Sequence, residues 1–221
     1  MATSVLTAAL AGLPSGIQAQ GVWQGRRQLF VRFAGEAETA TMYRADALAR
    51  EVDRVASRAA FHSLCVTGRD AMGSAEFLDA VLGMLESKLP VMVDTDGQRP
   101  EAVGVLAPRL GLVQVTLDTE SAGLDGPAID RAIQTLQAAA ESSVEHALCL
   151  VLRDDVNDGQ ILRVVERAHA GSDAVAIILH PGPEGERTAL ARRWALLVEQ
   201  AMTVHPDIRL TFRLPGPAAL R

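Results

Sequence analysis

Ala147-Leu-Cys-Leu-Val-Leu152 is a continuous apolar run of strand length, and Ala174-Val-Ala-Ile-Ile-Leu179 is a second such run. Between them, Asn157–His169 is amphipathic with helical spacing. A strand that is apolar at nearly every position is typical of a parallel sheet covered by helices. This segment therefore predicts a β-α-β unit of an α/β protein.

The same alternation extends over most of the chain. The predicted strands are Gln28–Ala34, Ser63–Thr67, Val91–Thr95, Leu112–Leu117, Ala147–Leu152, Ala174–Leu179 and Ile208–Phe212. The predicted helices are Asp46–Ala59, Ser74–Ser87, Arg99–Ala107, Gly126–Ala140, Asn157–His169 and Glu184–Val204. This order predicts either a doubly wound sheet or a complete or partial (β/α) barrel. In both architectures the ligand site lies at the carboxyl ends of the strands.

Composition limits the class of function. The 221 residues carry a net charge of −6 and are 48% hydrophobic, as expected for one ordinary globular domain. The acidic balance offers no basic surface for nucleic acid, so we expect no nucleic-acid partner. The chain has only Cys65 and Cys149, both inside apolar runs, which predicts a reducing, cytoplasmic environment.

The predicted domain covers residues 15–214. Residues 1–14 are small and apolar but too few to span a bilayer, and we interpret them as a frayed or docked tail with no role in membrane binding. Residues 215–221 are rich in proline and glycine and are interpreted as a loose tail.

Polar residues follow several predicted strands. Asp94 and Thr95 end the third strand, Asp118 follows the fourth, and His180 follows the sixth. Carboxylates on one rim could hold Mg²⁺ or hydrogen-bond a polar heterocycle, and a histidine could serve as ligand or base. The alternative is that these residues only cap helices and stabilise turns, where Asp and Thr are also common.

The chain also resembles a known family. Ser15-Gly-Ile-Gln-Ala-Gln-Gly-Val-Trp-Gln-Gly25, with the Phe30-Val-Arg-Phe-Ala-Gly35 that follows, resembles the opening of 7-carboxy-7-deazaguanine synthase. That enzyme is a radical S-adenosylmethionine (SAM) enzyme of queuosine biosynthesis. Val66-Thr-Gly-Arg-Asp70 is similar to the family's SAM-binding T-G-G-E-P segment, and Pro90-Val-Met-Val-Asp-Thr-Asp-Gly97 to its P-V-x-x-E-T-N-G strand. The resemblance implies a single-domain partial (β/α)₆-type barrel of the radical SAM type, often a homodimer.

The resemblance also implies a set of site residues. The family places an arginine near the substrate carboxylate, and Arg32 occupies that position. Gln20 stands where the family has a glutamate, and Asp118 where it has a lysine. With the residues at the strand ends, the candidate ligand-binding set is Gln18, Gln20, Arg32, Thr67, Gly68, Arg69, Asp70, Asp94, Thr95, Asp118 and His180.

Two departures from the family pattern bear on chemistry. Where the family has C-x-x-x-C-x-x-C, this chain has Glu36-Ala-Glu-Thr-Ala-Thr-Met-Tyr43, and two cysteines in the whole chain cannot supply three thiolate ligands to an iron–sulfur cluster. In the SAM segment, Arg69 replaces a glycine and places a charged side chain where backbone should approach the cofactor. We therefore expect no cluster and no radical activity, and the change also argues against SAM.

Three functions remain open at this stage. The first is a cluster-free homologue that binds a polar small molecule or a protein and has lost catalysis. The second is a non-radical enzyme that uses the aspartate-rich rim as acid and base or as a Mg²⁺ site. The third is a structural partner of a genuine radical enzyme, which it would contact through the exterior of the barrel. We expect the chain either to form a homodimer or to associate with another barrel protein.

Overall fold

The computed structural model describes residues 6–119, 124, 126–182 and 188–212. Its strands are Thr7–Gly12 (β1), Ser15–Ile17 (β2), Arg27–Phe33 (β3), Thr41–Arg44 (β4), Ser63–Gly68 (β5), Val91–Thr95 (β6), Leu112–Asp118 (β7), Glu145–Leu152 (β8), Ala176–Pro181 (β9) and Ile208–Leu210 (β10). Its α-helices are Ala45–Ala56 (α1), Ala75–Met84 (α2), Pro100–Leu106 (α3), Pro127–Glu141 (α4), Asp158–Gly171 (α5) and Thr188–Met202 (α6).

The strands form one open sheet. Their order is β10-β9-β8-β7-β6-β5-β3-β1-β4, and β2 pairs with the beginning of β3. Neighbours from β3 to β10 are parallel, whereas β1, β2 and β4 are antiparallel additions at one edge. Among the described strands β4 and β10 do not meet, so the sheet is a partial barrel, and the predicted α/β class and parallel order are confirmed.

The helices pack on one face of this sheet. In β3 to β6, alternate residues such as Val31, Val66 and Val93 form one core with α1, α2 and α3. In β7 to β9, residues of the same alternation, such as Leu148 and Ile177, form a second core with α4, α5 and α6. Because side chains alternate across a strand, the intervening residues line the opposite, concave face. This arrangement identifies the partial barrel, not the doubly wound sheet, as the correct alternative.

The antiparallel edge is not anticipated by the sequence analysis. Thr7–Gly12 falls in the segment interpreted as a tail, and it is docked between β3 and β4. Its Thr-Ala-Ala-Leu-Ala-Gly sequence has low β-propensity, so its strand conformation depends on its neighbours. The predicted strand from Ile208 ends at Leu210, earlier than expected, and the predicted tail at residues 215–221 lies outside the described residues.

The helix starts follow local chemistry. Pro100 and Pro127 open α3 and α4 at the first turn, where a missing N–H costs no hydrogen bond. The Asn157 side chain caps α5 by accepting from the Gln160 N–H at 3.3 Å. No helix in the described ranges is both long enough and apolar enough to cross a membrane.

Candidate functional site

The concave face changes character along the strands. Its buried part is an apolar cluster of Phe30, Cys65, Met92, Leu112, Ala147, Cys149 and Ile178. At the amino ends of β3 and β5, Gln28 donates a hydrogen bond to the Ser63 hydroxyl at 2.8 Å. Val151 of β8 is apolar, but the other next positions of the same alternation, towards the carboxyl ends, are polar. We call these residues the polar rim: Arg32, Thr67, Asp94, Thr116, Asp118 and His180. The sheet register places Arg32, Thr67, Asp94, Asp118 and His180 on this one face, towards the carboxyl ends of their strands.

Asp94 has a dense hydrogen-bonding environment. Its Oδ1 accepts from the Thr116 hydroxyl at 2.6 Å, and the side chains of Gln114 and Gln18 also hydrogen-bond to it. Burial raises the pKa of Asp94 above its usual value, although these hydrogen bonds act in the opposite direction. Asp94 is therefore a partly buried carboxyl with a perturbed pKa at the centre of the rim.

A loop of residues 18–26, here called the inner loop, joins β2 to β3 and folds against the concave face. Gln18 is almost fully buried against Asp94, and the Val22 N–H donates to Gln114 Oε1 at 3.0 Å. A Cβ added at Gly21 would lie 1.8 Å from that same oxygen, so this close approach requires glycine. Gln20 lies in the inner loop and is partly buried.

The segment that stands in place of the family's cysteine loop is tied to the rim by charge. Glu38 pairs with Arg32, and Glu36 pairs with Arg69 at 2.7 Å. The Gly35 N–H and the Arg32 guanidinium hold the pKa of Glu38 below its usual value, so this exposed carboxylate is ionised at neutral pH. Arg32 thus already holds an anion belonging to its own chain.

The segment Thr67–Asp70 is shaped by local packing. Gly68 has φ +103°, and a Cβ there would lie 2.3 Å from the carbonyl oxygen of Phe33. Asp70, at φ 45°, accepts two hydrogen bonds from Arg99, at 2.9 and 2.7 Å, and this guanidinium lowers the pKa of Asp70. Arg69 and Asp70 are therefore engaged in ion pairs with other parts of the chain.

Not every predicted residue joins the rim. Thr95 follows Asp94 directly and so lies on the opposite, helix-facing side of β6, where its hydroxyl accepts from the Gly97 N–H at 3.2 Å. Gly97 in turn accepts a hydrogen bond from Thr135 of α4. Thr95 thus shapes the turn that packs against α4, and the structure does not bring it together with the rim residues.

His180 and Asp118 lie at the far side of the rim. His180 is buried, and its Nδ1 lies 2.9 Å from the hydroxyl of Thr211. Asp118 is exposed at the end of β7, opposite Val151, which itself pairs with His180. Asp118 and His180 are therefore separated by one strand.

Gln114 and Thr116 are site residues that the sequence analysis missed. A signal was available, because Gln114, Thr116 and Asp118 recur at every second position of an otherwise apolar strand. That period places all three on one face, with the apolar residues between them on the other.

The residues present do not fit an iron–sulfur cluster. Cys65 and Cys149 are fully buried within strands, and burial, with a smaller contribution from the nearby Asp94 charge, raises the pKa of both thiols. Residues 36–43 contain no cysteine, and their two glutamates are paired with arginines. Within the described residues no group of three or more His, Cys, Asp or Glu side chains is arranged to hold a metal ion.

Comparisons with known proteins bear on the fold. No protein-family model and no curated protein matches the sequence. The chain is similar to SuiB from Streptococcus suis, whose crystal structure contains bound S-adenosylmethionine, with 17% identity and a TM-score of 0.56 over 77% of this chain and 42% of SuiB. It thus spans less than half the length of SuiB.

Two further solved structures align less well. One is 3-dehydroquinate dehydratase from Geobacillus kaustophilus HTA426, with 13% identity and a TM-score of 0.48 over 94% of this chain and 81% of that one. The other is the 3-keto-D-glucoside 4-epimerase YcjR from E. coli, with 14% identity and a TM-score of 0.37 over 76% and 88% of the two chains. Of the three, the similarity to SuiB supports a fold of the radical SAM type, an open and mostly parallel barrel.

Proposed function

We propose that this chain is a cluster-free barrel that binds a polar small molecule at the polar rim and performs no radical SAM chemistry. The observation that carries the proposal is the change of the concave face from an apolar cluster to polar side chains at the level of Asp94. Polar side chains on an interior surface are costly unless hydrogen bonds from the protein, from solvent or from a ligand satisfy them.

Asp94 is the anchor in this proposal. A carboxylate offers about four acceptor positions, and the Thr116 hydroxyl occupies one of them at 2.6 Å. We propose that a ligand N–H or O–H group occupies another. Deazapurines and pterins carry such donors beside ring carbonyls, and the resemblance to 7-carboxy-7-deazaguanine synthase makes them the first compounds to test.

Arg32 is the second anchor, and Glu38 competes for it. An anionic ligand group would replace the Glu38 carboxylate in the exposed ion pair with Arg32. Arg32→Ala should weaken binding of a carboxylated ligand roughly ten- to a hundredfold, because hydrogen bonds to charged groups contribute about 1.5–3 kcal/mol. Glu38→Gln should strengthen the same binding, since it removes the competing charge and leaves an oxygen for the Gly35 N–H.

Calorimetric titration with deazapurine carboxylates, pterins and SAM tests this proposal. The matched control is Arg50→Ala, which removes an exposed arginine of α1 from an ion pair with Asp46. We expect one compound to bind, with affinity lowered by Arg32→Ala, raised by Glu38→Gln and unchanged by Arg50→Ala. If no compound binds, or if the Arg32 and Glu38 variants behave like the control, the rim is not the site.

A second function is favoured by one observation. A partly buried carboxyl with a raised pKa at the strand ends is typical of a general acid, and Asp94 has this property. The same property disfavours Asp94 as a Mg²⁺ ligand, because the metal requires the ionised form. The alternative is therefore a non-radical enzyme that uses Asp94 in proton transfer, and substrate turnover abolished by Asp94→Asn would support it.

The cellular setting also remains a proposal. We propose that the protein acts in the cytoplasm as a homodimer or beside another barrel protein. Co-purification of a cluster-bearing homologue at a fixed ratio would favour the partner hypothesis over small-molecule binding.

A further inference from the structure

A separate cavity lies at the opposite end of the strands from the polar rim. It has a volume of about 620 Å³ and lies at the amino ends of β7, β8 and β9, beside the ends of α4 and α5. We call it the basal cavity. Its polar and charged lining residues include Ser143, Glu145, His146, Ser172, Asp207 and Arg209. None of them belongs to the polar rim.

Two of these residues form a hydroxyl–imidazole pair. The Oγ of Ser172 lies 2.7 Å from Nε2 of His146, and His146 Nδ1 lies 2.9 Å from the backbone carbonyl oxygen of Val144. His146 is 7% exposed, so its ring is held between the two contacts. The Ser172 backbone is fixed at the end of α5, where its N–H donates to the Ala168 carbonyl at 2.9 Å.

The hydrogen-bond partners determine the tautomer of the neutral ring. A carbonyl oxygen only accepts, so His146 Nδ1 must carry the proton. Nε2 is then the unprotonated nitrogen, and the Ser172 hydroxyl donates to it. A nucleophile in contact with a base, whose other nitrogen is oriented by a third group, is the arrangement that activates serine for attack on a carbonyl carbon.

We propose that Ser172 and His146 form an acyl-transfer site in the basal cavity, acting on small uncharged or cationic esters. Ser172 Oγ attacks the ester carbonyl carbon, and its proton passes to His146 Nε2. The bond to the alcohol then breaks, and the departing oxygen takes that proton from His146. A water molecule, deprotonated by the same nitrogen, attacks the acyl-serine, and the free acid and the original hydroxyl are restored.

The cavity lining supports this choice of substrate. The Arg209 guanidinium is engaged by both carboxylate oxygens of Asp207, at 2.8 and 2.9 Å, while Glu145 adds a negative charge. Anionic esters would therefore be repelled. The backbone N–H groups of Asp173 and Ala174, which follow the nucleophile, have no acceptor in the part of the chain that the structure describes, and a developing oxyanion needs such donors.

The direct test is labelling with a fluorophosphonate probe, read by intact mass and peptide mapping, together with hydrolysis of p-nitrophenyl acetate. We expect one adduct on Ser172, no adduct at that site in Ser172→Ala, and labelling slowed at least a hundredfold in His146→Gln, the usual contribution of a general base. Ser143→Ala removes another hydroxyl from the same cavity and should label as the wild type does. Absence of labelling at Ser172, or equal labelling in His146→Gln, overturns the proposal.

A second variant covers the case in which His146→Gln does not fold. In Ser172→Cys the thiol would lie beside the same imidazole, which favours the thiolate. Cys65 and Cys149 are buried with raised pKa values, so they should contribute little to alkylation of the folded protein. We expect iodoacetamide to modify Cys at position 172 about tenfold faster than free cysteine at pH 7. A rate equal to or below that of free cysteine contradicts an activated site.

Discussion

Gly68→Ala separates two explanations for a glycine at the end of β5. The resemblance to the synthase would assign this glycine to close approach of a cofactor, whereas the structure shows it packed against the backbone of β3. An added Cβ would lie 2.3 Å from the Phe33 carbonyl oxygen and 2.6 Å from the Phe33 nitrogen. Both are backbone atoms that pair β3 with β5, so they cannot move aside without disturbing the sheet.

The expected cost has two parts. A side chain at φ +103° is strained, by about 1–2 kcal/mol for a left-handed residue. The approach to Phe33 is about 1 Å closer than the 3.4 Å at which ordinary contact begins, and overpacking of this kind costs about 1–3 kcal/mol more. Gly68→Ala should therefore lower the free energy of unfolding by about 2–5 kcal/mol.

Two control glycines isolate the steric part. Gly25 has φ +81° and Gly126 has φ +126°, and among the residues that the structure describes a Cβ at either would meet no atom within 4 Å. Gly25→Ala and Gly126→Ala should each cost only the backbone strain, about 1–2 kcal/mol. Urea denaturation of the three variants measures the difference. If Gly68→Ala is no less stable than the two controls, the packing explanation is wrong.

Two further predictions concern Asp94 and Thr135. Because the pKa of Asp94 is raised on folding, its stabilising contribution is complete below about pH 3.8, its usual pKa, and is lost as pH rises through the raised value. As pH rises from about 4 to 7, the free energy of unfolding of Asp94→Asn should therefore increase relative to that of the wild type. The increase should be about 1.4 kcal/mol for each unit of pKa shift. If urea unfolding shows a difference between the two proteins that does not depend on pH, this prediction is wrong. Thr135→Val removes a buried hydrogen bond of 2.8 Å to the Gly97 carbonyl and should lower the free energy of unfolding by about 1–3 kcal/mol. Thr203→Val removes an exposed hydrogen bond and is the control, which should lower it much less in the same assay.

The parallel strands could be predicted because burial on both faces leaves a simple pattern. β5 to β9 are rich in apolar residues, most of all at Ala147–Leu152 and 176–179. β1 and β4 could not be found in this way. β1 is short and alanine-rich, and β4 is short and mostly exposed. β1 becomes a strand by pairing with β3 and β4, and β4 by pairing with β1.

The sequence predicted that the candidate site lies at the carboxyl ends of the strands. Which single residues face that site depends on the register of each strand. Asp94 and Thr95 are adjacent in the sequence, yet only Asp94 faces the concave side, because a shift of one residue reverses the face. The ion pair of Asp70 with Arg99 joins residues 29 positions apart, so no local pattern indicates it. The ion pair of Arg32 with Glu38 depends on how the chain turns after β3. The inner loop is a similar case, since its contact with Gln114 joins residues 92 positions apart in the sequence.

A native mass spectrum of the protein purified from cells tests the proposed binding function in one step. We expect the wild type to carry a noncovalent mass of a few hundred daltons, and we expect Arg32→Ala and Thr116→Val to reduce its occupancy, since Thr116 positions the Asp94 carboxyl. Arg50→Ala should retain it fully. A wild-type spectrum that shows the chain alone, or a bound mass that persists unchanged in both rim variants, would contradict a ligand site at the polar rim.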